Sequence, residues 1–330
     1  MVAKLRFLVV LLLLAALAGA AWLYHFAHQE LMLPASPFQF DVKPGSTMKT
    51  VARQLTQSQV LSEPWSFIAL ARVLGKGAQI KAGEYEIDRN PTPLALLDLF
   101  AKGQQAEQIA VKFIEGHTFA DMRKVLDQHP AMKHDSKSLS EIEILREVGS
   151  IDTKAEGLFF PDTYLVIPGT SDLKLLQRAF KAMQDRLASA WETRDASVPY
   201  TEPYQALIMA SIVEKETGQP SERPLIASVF INRLKKRMLL QTDPTVIYGM
   251  GDRYNGNIRK TDLQRDTPYN TYTRAGMPPT PIAMPGIAAI KAALNPATSN
   301  ALYFVAKGDG SHEFSANLLD HNRAVNKYQR

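Results

Sequence analysis

Apolar residues run without interruption from Phe7 to Tyr24, with no charged or strongly polar side chain among them. With a few flanking residues, such a run is long enough to cross a hydrocarbon core as a helix. Lys4 and Arg6 precede it, and Trp22, Tyr24, His25 and His28 close it. Basic residues on one side and interfacial aromatics on the other put the N-terminus in the cytoplasm and everything beyond residue 28 outside. Ala18-Gly19-Ala20 resembles a signal-peptide cleavage site. The apolar run continues past it to the aromatic belt, so a retained anchor is preferred.

A Pro-containing linker occupies residues 29–39. Phe40-Asp41-Val42 then alternates like a strand and stops at the Pro44-Gly45 turn, and Ser46 is placed to cap a helix running through Leu55. A second helix is predicted from Pro64 to Leu74, and Gly83 to Ile87 reads as a returning strand. The result is a small strand–helix–helix–strand unit, followed by a helix from Pro91 to Lys102. Ile109 to Thr118 and the helical stretch Phe119 to Leu126 echo that opening: strand, Gly, Ser or Thr, helix. Residues 128–155 read as helix and loop, and Leu173 to Trp191 as an amphipathic helix. Leu302 to Val305 and His312 to Phe314 flank an Asp309-Gly310 turn, which predicts a hairpin. The fold class is α+β, divided as anchor 1–28, linker 29–39, small α/β domain 40–100 and larger domain 101–330.

The pattern changes between Thr201 and Gly218. Thr201 is a candidate N-cap, Pro203 lies in the first turn, and Gly218 with Pro220 supplies a stop. Between these signals the helix is apolar on nearly every face, as a buried helix is. Its C-terminal end nevertheless carries Glu214 and Glu216. Desolvating an ionised carboxylate is expensive, so two acids at the end of a buried helix mark the wall of a site. Residues two apart on a helix point to nearly opposite faces. Glu216 follows the more apolar line of Met209, Ile212 and Val213, and Glu214 that of Leu207, Ala210 and Ser211.

Composition narrows the chemistry. The chain has 330 residues, 45% of them hydrophobic and 22% charged, as a folded protein of two domains has. It has no cysteine, which removes disulfides, thiolate catalysis and cysteine-ligated zinc. The net charge of +5 is mild and no basic run is interleaved with aromatics, so nucleic acid is not an expected partner. The seven histidines show no metal-ligand spacing, and no Gly-rich phosphate loop is present, so neither metal nor cofactor is expected. Ser46-x-x-Lys49 and Ser171-x-x-Lys174 imitate the penicillin-binding pattern, with Ser315-Ala316-Asn317 as its second element, but no Lys-Thr-Gly completes the set.

Several long motifs remain. They are Ile212 to Thr217, Ser228 to Leu234, Leu240 to Gly249, Tyr269-Asn270-Thr271-Tyr272, Glu156 to Tyr164, Leu302 to Val305, and His312 to Asn322. Together they resemble the endolytic murein transglycosylases, the YceG-like or MltG family, with no departure at the motif positions. The small α/β domain resembles the LysM glycan-binding module in its element order. The resemblance implies a single-pass inner-membrane protein, N-terminus cytoplasmic and catalytic part periplasmic. Such a protein cuts nascent peptidoglycan strands at the β-1,4 bond between N-acetylmuramic acid and N-acetylglucosamine without water, leaving 1,6-anhydro ends. It also implies peptidoglycan synthases as partners and Glu216 as the catalytic acid.

A glycosidase ordinarily needs two carboxylates, whereas a lytic transglycosylase works with one because the sugar's own C6 hydroxyl attacks. The acid protonates the glycosidic oxygen, then as a carboxylate receives the hydroxyl proton. It must therefore hold a proton near neutral pH, and burial raises a carboxyl pKa in that direction. Gln241, Thr242, Asp243, Tyr248, Tyr269, Asn270 and Tyr272 supply the groups sugar recognition needs; Glu214 and Asn232 are further candidates for contact with substrate or for support behind it. Two alternatives stay open: a non-catalytic peptidoglycan-binding scaffold, and a hydrolytic muramidase using Asp243 or Glu214 as second carboxylate.

Overall fold

The computed structural model describes residues 2–87, 89–103 and 108–329. The chain divides into two units, Met1–Gln108 and Ile109–Arg330.

The first unit opens with α1 (Val2–His28), whose stretch Arg6–His28 has a mean hydropathy of 2.5 and is long enough to cross a membrane. It continues with β1 (Phe38–Val42), α2 (Met48–Gln57), α3 (Trp65–Val73), β2 (Gly83–Ile87) and α4 (Pro93–Lys102). β1 and β2 pair antiparallel, with Phe40 opposite Tyr85. The core beneath them joins Val51 and Leu55 of α2, Phe67 of α3, and Leu96, Leu97 and Phe100 of α4. Tyr85 meets Phe100 edge to face at 4.9 Å. Phe26 and Ala27 at the end of α1, and Leu31 just beyond it, are buried in the same core. The cap of α2 is Thr47 rather than Ser46: Gly45 turns the chain at φ +79°, leaving Thr47 as the last extended residue, and its Oγ1 accepts the Thr50 N–H at 3.3 Å.

The second unit repeats that opening. β3 (Ile109–Lys112) leads through Gly116, again at φ +79°, to Thr118, which caps α5 (Phe119–Gln128) in a reciprocal pair with Asp121. α6 (Glu141–Glu147), β4 (Thr163–Val166) and α7 (Asp172–Glu192) follow, with β4 antiparallel to β3. Next come α8 (Pro203–Glu216), a 3₁₀ turn at Pro220–Glu222, α9 (Arg223–Lys235), α10 (Asp243–Met250), α11 (Lys260–Gln264) and α12 (Ile287–Leu294). The hairpin β5 (Tyr303–Ala306) and β6 (His312–Ser315) precedes α13 (Leu318–Tyr328).

α8 is the centre of this unit. Every residue from Ala206 to Val213 is buried, and α9 and the Ala-rich α12 pack against it. Each fully buried Leu, Ile or Met here contributes roughly 1.5–3 kcal/mol by leaving water. The ends differ from those expected. Glu202 occupies the cap position, while Thr201 donates its N–H to Gln205 Oε1 at 2.7 Å. At the other end Thr217 turns extended, so the helix stops before Gly218 and Glu216 is its last helical residue.

Candidate active site

The two acids at the end of α8 part company, as their spacing requires. Glu214 turns toward α9 and α12. Arg223 Nη2 donates to its Oε1 at 2.9 Å and the Gly286 N–H donates to its Oε2 at 2.9 Å. The side chains of Glu214 and Arg223 are only 5% and 10% exposed. With both oxygens engaged, Glu214 is a structural anion that fixes the start of α12. Glu216 instead turns to a cleft of about 640 Å³, where Thr242 Oγ1 donates to its Oε1.

The floor holding Thr242 is a knot of threonines. Thr242, Thr245 and Thr271 are all buried. Thr271 Oγ1 accepts the Thr242 N–H at 3.1 Å and lies 2.9 Å from Thr245 Oγ1, which donates to the Thr242 carbonyl at 2.8 Å. Gln241 precedes them at φ +50°, a left-handed conformation that non-glycine residues seldom adopt. Its N–H donates to the Thr271 carbonyl at 3.1 Å, which ties the unusual turn down. Backbone strain of this kind persists where the surroundings over-determine it, commonly beside a site. Asp243, the first residue of α10, accepts the Tyr272 hydroxyl at 2.5 Å. Gln241, Thr242, Asp243 and Tyr272 thus line one cleft with Glu216.

Glu216 is half-buried, with one edge on the cleft and protein around the rest. Loss of hydration raises its pKa above the ordinary carboxylate value; the negative charge of Asp243 adds to this, and the Thr242 hydroxyl, His312 and Arg233 oppose it. A carboxyl in this state holds its proton where an exposed one has released it, which a general acid needs.

The far wall comes from α9, the hairpin and α13. Arg233 donates through Nε to the Leu302 carbonyl at 2.7 Å and through Nη1 to the Leu240 carbonyl at 2.9 Å. Its guanidinium lies 5.0 Å from the centre of the Tyr303 ring, and His321 stacks against that ring at 5.1 Å. His312 joins them, its Nδ1 2.7 Å from Glu222 Oε2. Arg233 and Tyr303 lie inside motifs that carry the family resemblance, Ser228 to Leu234 and Leu302 to Val305, but neither is a site candidate in the sequence, and His312 and His321 read there as surface or supporting residues.

The other candidates lie behind the cleft. The Asn232 amide donates to the carbonyls of Ser299 and Ala301 at 2.8 and 3.0 Å, so it secures the strand of chain leading into β5 and does not reach the cleft. Asn270 is wholly buried; its amide donates to the carbonyls of Leu263 and Arg265, and its Oδ1 accepts the Tyr272 N–H at 2.9 Å. It therefore positions Tyr272. Tyr248 and Tyr269 meet edge to face at 4.9 Å, with Tyr269 bonded to Thr280 at 2.9 Å. Tyr248 bonds the buried Glu156 rather than lining the cleft.

Residues 40–327 match the model of the YceG-like family. A Bacillus subtilis protein named endolytic murein transglycosylase is 31% identical, over 94% of this chain and 90% of its own length. A namesake from Streptococcus pneumoniae is 27% identical over 97% of this chain, which spans 64% of that longer protein. The crystal structure of a YceG-like protein from Listeria monocytogenes superposes with a TM-score of 0.54 at 27% identity, covering 87% of this chain and 99% of that one. The matched segment runs from β1 into α13 and takes in every residue lining the Glu216 cleft except Gln329; the chain belongs to the YceG-like family.

Proposed function

We propose that this chain is a membrane-anchored endolytic murein transglycosylase that cleaves within nascent peptidoglycan strands and so ends their growth. Glu216 protonates the glycosidic oxygen between N-acetylmuramic acid and N-acetylglucosamine. As that bond breaks, the C6 hydroxyl of the same muramyl residue closes onto C1, giving the 1,6-anhydro end. The cycle is complete when the hydroxyl proton is returned to Glu216. Holding the ring in the cleft gives the internal hydroxyl an effective concentration that water does not match. Gln241, Asp243, Tyr272 and Arg233 offer the polar contacts to the sugar.

One observation carries this reading: a single desolvated carboxyl, bonded to Thr242, opens on the cleft while its neighbour Glu214 is tied to Arg223 and Gly286. That arrangement speaks against Glu214 as a second carboxylate. α1 serves as the anchor, with the cleft on the periplasmic side, and the strand–helix–helix–strand unit acts as a LysM-like glycan contact. Peptidoglycan synthases are the partners this location favours.

The test is mass spectrometry of strand ends after digestion. Wild-type protein yields anhydro ends, lighter by one water than hydrolysed ends, and Glu216→Gln yields neither. Hydrolysed ends would instead favour a muramidase using Asp243, which shares the cleft. Full cleavage by Glu216→Gln would sink the assignment of the acid.

A further inference from the structure

His312 opens β6, and one carboxylate grips both its ring and its backbone: Nδ1 lies 2.7 Å from Glu222 Oε2, and the His312 N–H donates to Glu222 Oε1 at 3.0 Å. The pair is well shielded, with side-chain exposures of 13% and 15%. A carboxylate only accepts hydrogen bonds, so in the neutral form of the imidazole the ring hydrogen sits on Nδ1 and Nε2 keeps its lone pair; the same ring protonated on Nε2 is the cation that opposes the raised pKa of Glu216. Phe304 packs edge-on against the ring at 5.4 Å and fixes its plane. Nε2 has no protein partner among the described residues and is not sealed from solvent, and the residue lines the cleft that holds Glu216.

We propose that His312 is the base that receives the proton of the attacking C6 hydroxyl, with Glu222 fixing its tautomer. This rests on Glu216 being the acid of a transglycosylase. Glu216 gives its proton to the glycosidic oxygen and the C1–O4 bond breaks with its electron pair on oxygen. The C6 oxygen forms the C1–O6 bond as its proton passes to His312 Nε2. The imidazolium, balanced by Glu222, then returns that proton to the Glu216 carboxylate across the cleft, so nothing is consumed.

The other charged or titratable groups around the cleft are less suited to the task. Arg233 has no lone pair to offer. Asp243 already accepts the Tyr272 hydroxyl. His321 is stacked on Tyr303 with its Nδ1 buried and without a hydrogen-bond partner among the described residues. Glu313, beside His312 on β6, lies 3.8 Å from Lys307 of the same hairpin.

The experiment uses the full-length protein in detergent, with uncrosslinked glycan strands and anhydro ends as the readout. Wild type and Glu216→Gln are measured first; if wild type makes no anhydro ends, the transglycosylase reading itself fails. Given an active wild type, His312→Ala is expected to lose about 100-fold or more in kcat with KM little changed, the range typical of a removed general base. Added imidazole is expected to restore at least about 10-fold of that loss by occupying the vacated space. Glu222→Gln, which keeps the ring, is expected to lose about 10-fold without rescue. Should His312 only pin the hairpin to the Pro220–Glu222 turn, imidazole would restore nothing. The proposal is overturned by His312→Ala with unchanged kcat, or by a loss in kcat that imidazole does not relieve at an unchanged thermal midpoint. If His312→Ala does not fold, unchanged kcat in Glu222→Gln overturns it as well.

Discussion

Thr242 works against the proton affinity that burial gives Glu216. Its hydroxyl donates to the carboxylate and so favours the ionised form, against a burial that favours the protonated one. Activity that depends on protonated Glu216 is lost as pH rises through the raised pKa. Thr242→Val removes the opposing donor, raises that pKa further and moves the alkaline limb of the kcat profile to higher pH; a limb that stays put or moves down would contradict this. At this scale the sequence was partly legible. Helical spacing separates Glu214 from Glu216, and the structure gives them different partners. Arg233 lies in one of the resemblance motifs yet takes no role from the sequence, because a cation near the C-terminal end of a helix is ordinary. Asn232 shows the converse: a polar residue in an apolar helix faced a loop's carbonyls, and no local pattern reveals where a distant loop returns.

Elements hold these residues in place, chiefly the α8, α9 and α12 packing. The ion pair of Glu214 with Arg223 lies inside it, and Glu214→Ala would strand a buried guanidinium. The expected loss is about 3–5 kcal/mol, read as a lower urea midpoint, with Glu214→Gln costing less because the amide still accepts the Gly286 N–H. Gly157 is a second such position. It adopts φ +81°, and a Cβ there would lie 2.5 Å from the Pro281 ring, which has little freedom to move. Gly157→Ala is expected to cost about 2 kcal/mol or more, lowering the thermal midpoint by roughly 4–8 °C. The long buried helix and the hairpin announced themselves through apolar runs and turn residues. α10 and α13 did not: α10 is only eight residues long behind the polar Gln241-Thr242 turn, and α13 follows Ser315-Ala316-Asn317, which reads as part of a penicillin-binding pattern although Asn317 is the helix cap.

For the molecule as a whole, Glu156 predicts how stability follows pH. It is buried at the start of α5, accepts the Phe119 N–H at 3.1 Å, and burial raises its pKa to about 8 from 4.5. The folded chain therefore keeps a proton that the unfolded chain releases above about 4.5. The associated stability is full below that pH and is lost as pH rises through about 8. Denaturant midpoints are expected to fall between about pH 5 and 8 in the wild type and to flatten across the same window in Glu156→Gln. The cleft groups gather from α8, α9, α10, the hairpin and α13, a convergence that only the folded topology creates. The last turn of α1 has a consequence of its own. Because Phe26 and Ala27 are core residues of the first unit, the long apolar helix ends inside that unit. Moored in a bilayer, that body would ride at the lipid surface with no slack rope, and a soluble version cut at residue 21 should keep its fold where one cut at residue 31 should not.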